Sequence, residues 1–262
     1  MERVFGDVSV KVGHDSVAFV ELHRPPNNHF DLTLIRSLAD ALEALDADPS
    51  CRVVVLCSEG KHFCAGADFG NREQLSDTTG GGRTVGHLYD EAVRLFSVKN
   101  PLVAAVQGAA VGGGLGLALA CDFRVASPDS RFTANFARLG FHQGFGLSVT
   151  LPEAVGRQRA LEMLYTGRRV PGEEAFRIGL CDRLVLSERI REEAHAVAAE
   201  IAASAPLAVR SIRETMRGDL PARIRAATDR ERVEQERLNL TEDFKEGVRA
   251  TAERRPAKFV GR

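Results

Sequence analysis

Tryptophan is missing from this 262-residue chain, and its charges nearly cancel: 35 Lys and Arg stand against 36 Asp and Glu, for a formal net charge of −1. The first absence excludes nothing. The second removes the electrostatic case for a nucleic-acid partner, which needs a basic surplus. Cysteine is sparse. Cys51, Cys57, Cys64, Cys121 and Cys181 are odd in number and hold no CxxC pair. Neither a zinc site nor a disulfide framework fits that pattern, and a reducing cytoplasm is the expected compartment. Long apolar runs are also lacking: even 101–121 is broken by Gln107 and by glycines, so no membrane span is expected. The N-terminal MERVFGDVSV has neither the apolar stretch nor the small-residue cleavage site of a signal peptide.

What remains has the composition of a soluble globular protein, 44% hydrophobic and 27% charged. VSVKV (8–12) and VAFVEL (17–22) are β-branched runs split by a turn and predict a hairpin. Asp31 is placed to cap a helix carrying Ile35, Leu38, Leu42 and Leu45 at helical spacing. RVVVLC (52–57) and PLVAAVQG (101–108) are continuous apolar runs suited to buried parallel strands. Between them, SEGKHFCAGADF reads as a loop, the polar, Gly-rich 76–86 as a mobile loop, and Leu88, Val93 and Leu95 as helix positions. DFRVAS (122–127) predicts a further strand, and RFTA and RLVL short ones. The chain from Gln158 onward reads as largely helical. Strands alternating with helices define an α/β fold. The mixed charges of the C-terminal helices suit a solvated or subunit-facing surface.

One stretch resists this simple reading. AAVGGGLGLALACD (109–122) is an apolar run that reads as a buried helix, yet glycines crowd its start at about 1 kcal/mol each relative to alanine. Three explanations compete. A dinucleotide fingerprint fails in register, because Gly114 and Gly116 are followed by Leu119. Small residues that let a helix pack closely are a sufficient structural reason. The third explanation is an oxyanion hole, in which bare N–H groups at a helix start meet an oxygen that gains charge. The small-residue loop HFCAGADF, at the end of a neighbouring strand, is the candidate for a second donor, at the sheet edge where α/β proteins bind ligands.

FCAGAD followed by PLVAAVQGAAVGGGLGLALACDFRVAS closely resembles the crotonase superfamily, the enoyl-CoA hydratase/isomerase family. The resemblance extends through the early RP turn, PGEEAFRIGLCDRLV and RRPAKF. It implies a crotonase-like ββα spiral core over residues 1–200 and a C-terminal helical trimerisation region over 201–262, assembled as a homotrimer or a dimer of trimers. It implies an acyl-CoA thioester as substrate, coenzyme A entering only as part of that substrate, and no prosthetic group or metal. Matched residue by residue, the two oxyanion donors are Ala67 and Gly113. The coenzyme A moiety is expected along Pro26 and Asn27, with Ala65, Gly66 and Asp68 beside it and Lys258 and Phe259 reaching it from the tail, often from a neighbouring subunit.

The resemblance breaks at the proton-transfer positions. Hydratases of the family carry two glutamates; here those positions are Gly116 and Phe136. Relatives with an acid further along the same loop have it where this chain has Gly144. Gly116, Phe136 and Gly144 are therefore expected to leave room for a bulky or apolar acyl group. His142 is the one candidate for a proton carrier in that loop. His87 and Tyr89 are expected at the surface or in packing, and His14, His23, His29 and His195 as structural or surface residues. His62 and Cys64 flank the donor loop, Cys64 without a histidine partner. The reading is an acyl-CoA lyase or isomerase in which ordinary two-glutamate hydration is not expected. Decarboxylation, thioester hydrolysis, isomerisation and non-catalytic acyl-CoA binding are the alternatives. A serine protease on a related spiral would need a serine where the helix starts with glycine.

Overall fold

The structure, a computed structural model, describes residues 2–67, 76–79 and 83–262. Glu2–Phe5 (β1), Val8–Val12 (β2) and Val17–Leu22 (β3) make an antiparallel meander. Asp31 caps the helix Leu32–Asp46 (α1), its carboxylate accepting from Leu34 N–H at 2.8 Å, and Ile35, Leu38, Leu42 and Leu45 are buried as their spacing predicts. Val53–Ser58 (β4) follows, and then an antiparallel pair, Ser76–Thr79 (β5) with Arg83–His87 (β6). That pair corrects the mobile-loop expectation over 76–79 and 83–86, while residues 80–82 of that stretch lie outside the described residues. Thr78, Thr79, Thr84 and Val85 are β-branched, and their strand preference outweighs the polar, Gly-rich composition.

The chain continues through Leu88–Ser97 (α2), Leu102–Val106 (β7), Ala109–Val111 (β8) and Gly113–Ala120 (α3). Residues 109–111, read above as part of a helix, are a strand. Gly112, at φ +56°, turns the chain out of it, and α3 starts one residue later. Phe123–Ala126 (β9), Arg131–Thr133 (β10) and a 3-10 turn at Asn135–Leu139 lead to Leu147–Val155 (α4) and Arg157–Thr166 (α5). Arg169–Pro171 (β11), Gly172–Arg177 (α6) and Arg183–Leu184 (β12) precede four helices: Ile190–Ala202 (α7), Pro206–Arg217 (α8), Leu220–Leu238 (α9) and Glu242–Ala252 (α10).

The main sheet has the order β1-β2-β3-β4-β7-β9-β12, antiparallel through β3 and parallel from β3 onward. β4 is buried on both faces, and its side chains divide with the period of two that a strand imposes. Val53, Val55 and Cys57 meet Ile190, Ala194, Ala198 and Ala202 of α7. Val54 and Leu56 face the larger core with α1, α2 and α3. A second, short layer crosses the ends of these strands. β8 pairs in parallel with β10, Cys64 bridges Ala110, and Ala67 bridges Phe30. Each turn of chain thus makes a strand in the main sheet, a short strand in the second layer and then a helix, which is the expected ββα spiral. The C-terminal helices are not only a solvated surface: Ile224 of α9 is fully buried in the larger core, and Glu231 is 0% exposed.

An ionic clamp ties α8 to this core. The Asp122 carboxylate accepts from Leu102 N–H at 2.8 Å, Arg213 Nε at 2.8 Å and Arg217 Nε at 3.0 Å. Arg213 also donates to Val98 O, and Arg217 to Ala120 O at 2.8 Å, so orphan carbonyls at the ends of α2 and α3 are satisfied by side chains.

Candidate active site

Two peptide units explain the glycines. The Gly66 carbonyl is held from one side, accepting from Phe30 N–H at 3.1 Å and from His29 Nδ1 at 3.2 Å. A trans peptide points its C=O and N–H in opposite directions. The Ala67 N–H is therefore turned away from Phe30. The Gly112 carbonyl accepts from Leu115 and Gly116 N–H as the first turn of α3, at 3.1 and 3.2 Å, so the Gly113 N–H points out of the helix start. Among the described residues, neither the Ala67 nor the Gly113 N–H donates to another protein group. The two turns are in contact: a Cβ on Gly66 would fall 2.7 Å from Val111 O and 3.8 Å from Gly113 N. Gly66, at φ +89°, has a backbone that only glycine adopts without strain.

The helix start is close-packed. A Cβ on Gly114 would fall 2.1 Å from Cys64 O, and one on Gly113 would fall 2.3 Å from Phe30 Cζ and 3.4 Å from Phe145 Cδ2. The Phe30 and Phe145 rings tilt against each other at 5.4 Å. Phe136 lies on the same side, its Cζ 3.7 Å from the Cβ position of Gly112. The expectation of room at Gly116 and Gly144 is corrected here. The Cβ direction of Gly116 is filled by Phe145, with Cβ at 2.7 Å, and that of Gly144 by Tyr89 Oη at 1.9 Å and Gln235 Nε2 at 2.6 Å. These glycines make space for protein side chains.

Pro26 and Asn27 line a cleft of about 210 Å³ with Arg24, Pro25, His29, Phe30 and Asp31. The turn is strapped to the loop that carries Ala65. Pro26 O accepts from Lys61 and His62 N–H at 3.2 Å each, and Asn27 O accepts from Ala65 N–H at 2.9 Å. Asn28, at φ +50°, is fully buried; its side chain donates to Glu59 O and His62 O and accepts from Arg24 N–H. Asp68 lies outside the described residues. Lys258 and Phe259 are not beside this cleft. The tail folds on α10, where Lys258 N–H donates to Glu246 at 3.0 Å and Lys258 lines a separate groove of about 570 Å³.

His142 donates from Nδ1 to Gln143 O at 2.8 Å, which leaves Nε2 as the free nitrogen of a neutral ring. Its charged neighbours are Glu231 and Glu234 of α9. Glu231 was not singled out from the sequence. It accepts from Gly146 N–H at 2.9 Å, Ser148 N–H at 3.0 Å and Ser148 Oγ at 2.6 Å, capping α4 from a distant helix. Burial raises its carboxyl above the ordinary value against the pull of these donors. Gln235, one helical turn on, donates to His142 O at 2.9 Å and Gln143 O at 3.3 Å and accepts from Tyr89 Oη at 2.8 Å. In sequence, Glu231 and Gln235 are indistinguishable from the many charged and polar residues of a surface helix.

The remaining candidates have other duties. His87 caps α2, its Nδ1 accepting from Tyr89 N–H at 3.1 Å, and burial lowers its basicity. His62 is likewise lowered by burial, and its buried Nδ1 has no partner among the described residues. His23 links Ser9 and Glu59, and His195 bonds Asp15 and stacks on Phe19. All five cysteines are free and buried, and burial pushes each thiol up to about 12. A thiol that does not ionise is no nucleophile, which removes Cys64. No metal cluster and no helix long and apolar enough to cross a membrane occur among the described residues.

A mixed α/β spiral with two backbone donors that meet no acceptor among the described residues, at adjoining small-residue turns, defines a class, and comparison with known proteins gives its family. The sequence profile of enoyl-CoA hydratase/isomerase matches residues 13–262. The chain is 33% identical over 254 residues to crotonyl-CoA hydratase of Syntrophomonas wolfei, covering 95% of this chain and 96% of that protein. It superposes on the crystal structure of an enoyl-CoA hydratase/isomerase from Pseudoalteromonas atlantica with a TM-score of 0.87 at 29% identity, covering 97% of this chain and all of that one. An enoyl-CoA hydratase from Mycobacterium avium subsp. paratuberculosis gives a TM-score of 0.84 at 29% identity, covering 98% and 100%. The chain belongs to the enoyl-CoA hydratase/isomerase family and is an acyl-CoA enzyme of that family.

Proposed function

We propose that the Ala67 and Gly113 N–H groups together bind the carbonyl oxygen of an acyl-CoA thioester and stabilise the charge it gains as an enolate or tetrahedral oxyanion. The observation that carries this reading is the pair of peptide units described above. Each carbonyl is engaged on one side, each N–H is left without an acceptor among the described residues, and the two turns touch. Preorganised donors of this kind cost nothing to reorient during reaction, and one is worth about 3–4 kcal/mol of barrier in comparable sites. The coenzyme A moiety lies along Pro26, Asn27, Ala65 and Gly66, with Asp68 in the same loop and Lys258 and Phe259 supplied by a neighbouring copy. That last assignment accords with a tail that lies apart from the cleft within one chain.

Gly116, Phe136 and Gly144 offer no carboxylate, so two-glutamate hydration is not the reaction proposed. Decarboxylation, thioester hydrolysis and isomerisation need less acid–base machinery, and His142, with Nε2 unprotonated in the neutral ring, is the base in this scheme. Residues 1–200 carry the binding core and 201–262 assemble it. Self-association into a trimer or a dimer of trimers is supported by Leu207, Ile212 and Met216, which leave α8 exposed by 80%, 62% and 81%. Five free thiols accord with a cytoplasmic setting. The test is a panel of acyl-CoA thioesters, scored for saturable binding and for products by mass spectrometry. Saturable binding with a His142-dependent product is expected. Absence of binding by every thioester in the panel overturns the proposal.

A further inference from the structure

The face of the main sheet that packs on α7 carries a second group of reactive side chains. We infer that Ser9, His23 and Glu59 form a nucleophile, a base and an orienting carboxylate, and that Ser9 accepts the acyl group of a small carboxylic ester. Nothing in this site depends on the thioester binding proposed above.

Strand register assembles the group. In β2, Val8 and Val10 point into the larger core, so Ser9 between them points to the α7 side. Ser9 lies opposite Glu21 of β3. His23, two residues further along, is on the same face, and its N–H donates to Asp7 O at 2.9 Å. β4 runs parallel to β3 with Ser58 beside Leu22, and Glu59 continues the face of Val53, Val55 and Cys57. Three neighbouring strands thus bring residues 9, 23 and 59 into one row, which no local motif encodes.

The contacts within that row have the distances and polarity of a general-base relay. Ser9 Oγ is 2.7 Å from His23 Nε2, and His23 Nδ1 is 2.9 Å from Glu59 Oε2. A carboxylate only accepts, so in the neutral ring the proton is on Nδ1 and points at Glu59. Nε2 then holds the free lone pair, and the Ser9 hydroxyl must donate to it. The ring is left in the one tautomer that can take the Ser9 proton, with the carboxylate behind it to stabilise the imidazolium. Glu59 is itself held by its backbone. Its N–H donates to Leu22 O at 2.8 Å, and its carbonyl accepts from Asn28 Nδ2 at 2.7 Å.

The row is open to a ligand. The His23 and Glu59 side chains are 36% and 55% exposed. Val4, directly opposite Ser9 on β1, is 70% exposed and gives an acyl chain an apolar surface to lie on. Arg191 of α7 donates to Glu21 and, at 2.7 Å, to Ser58 O. Its guanidinium offsets the repulsion that Glu21, across from Ser9, would exert on an ester oxygen turning negative.

The step is an acyl transfer. Ser9 Oγ bonds to the ester carbonyl carbon and passes its proton to His23 Nε2. The bond from that carbon to the leaving oxygen then breaks, and the proton goes to that oxygen. An ester on Ser9 and a free alcohol result.

The test treats the full chain with p-nitrophenyl acetate and maps the adduct by peptide mass spectrometry, for wild type, Ser9→Ala, His23→Gln and Glu59→Gln, with thermal melts to verify folding. Hydroxylamine cleaves a serine ester and leaves an acetyl amide on Lys11 intact, so the two are told apart. Wild type is expected to gain a hydroxylamine-labile acetyl group on Ser9. Ser9→Ala is expected to lose it, and His23→Gln to slow its formation about 10²-fold or more, the size of a general-base contribution. Glu59→Gln, which lets the ring adopt either tautomer, is expected to slow it by a smaller factor. No labile adduct on Ser9 in wild type, or formation as fast in folded His23→Gln as in wild type, overturns the inference. A rate unchanged in Glu59→Gln overturns the role given to that carboxylate.

Discussion

Ala67→Pro is expected to lower turnover of a CoA thioester about 10²–10³-fold with the fold intact, because it deletes one of the two proposed oxyanion donors. The substitution is informative because the lost N–H makes no bond within the described protein. Gly66, which precedes it, tolerates the restriction that proline places on its neighbour. Gly113→Pro, the matching change at the other donor, is less clean. Any Cβ there falls 2.3 Å from Phe30 Cζ, so it displaces an aromatic ring as well as removing an N–H. Steady-state kinetics beside a thermal melt check the result, with Ala67→Gly as the control that keeps the donor. Turnover within a few-fold of wild type in a folded Ala67→Pro protein contradicts the role given to this amide.

Asp122→Ala is expected to cost about 3–5 kcal/mol of stability, because it leaves the Arg213 and Arg217 guanidiniums buried without their counter-ion. For a chain of this size that is a fall in melting temperature of roughly 10 °C. Burial by itself would raise the Asp122 carboxyl, but Arg217, Arg213 and the Leu102 N–H outweigh it and hold the group below its ordinary value. A depressed carboxyl contributes stability that is present above its unfolded value, about 3.9, and lost as pH falls through the folded one. The difference between wild type and variant should therefore be full at neutral pH and close below about pH 4. Denaturant titrations across that range measure it. A pH-independent difference would mean that the clamp acts by packing rather than by charge.

The two turns proposed as donors were legible in the sequence because the role proposed for them is carried by the backbone, and backbone access leaves a mark in composition: small residues at the end of each strand. The α1 cap and the buried β4 strand were legible for similar reasons, since Asp31 and the VVVLC run each satisfy a purely local rule. Residues 109–111 were misassigned because AAV suits either a helix or a strand in isolation. Its pairing with Phe132 and its flanking residues, more than twenty positions away, decides the matter. Helix α4 went unseen because its start is stabilised by Glu231, some eighty residues further on, and because Pro152 lies inside it. Gly144 shows the same limit most sharply. A glycine in a loop suggests empty space, and only the three-dimensional structure shows Tyr89 already there. The parts of the site that side chains build across distant elements, Tyr89 on α2 with Glu231 and Gln235 on α9, are those that no local pattern encodes.

Everything proposed about thioester chemistry depends on charge being drawn onto a thioester oxygen by two backbone amides. The most direct measurement is the infrared carbonyl stretch of a ¹³C-labelled acyl-CoA thioester bound to the protein, compared with the same thioester in water. The account predicts a clear shift to lower frequency on binding, partly reversed in Ala67→Pro. A stretch at or above its solution value, under conditions where the thioester is demonstrably bound, would contradict it.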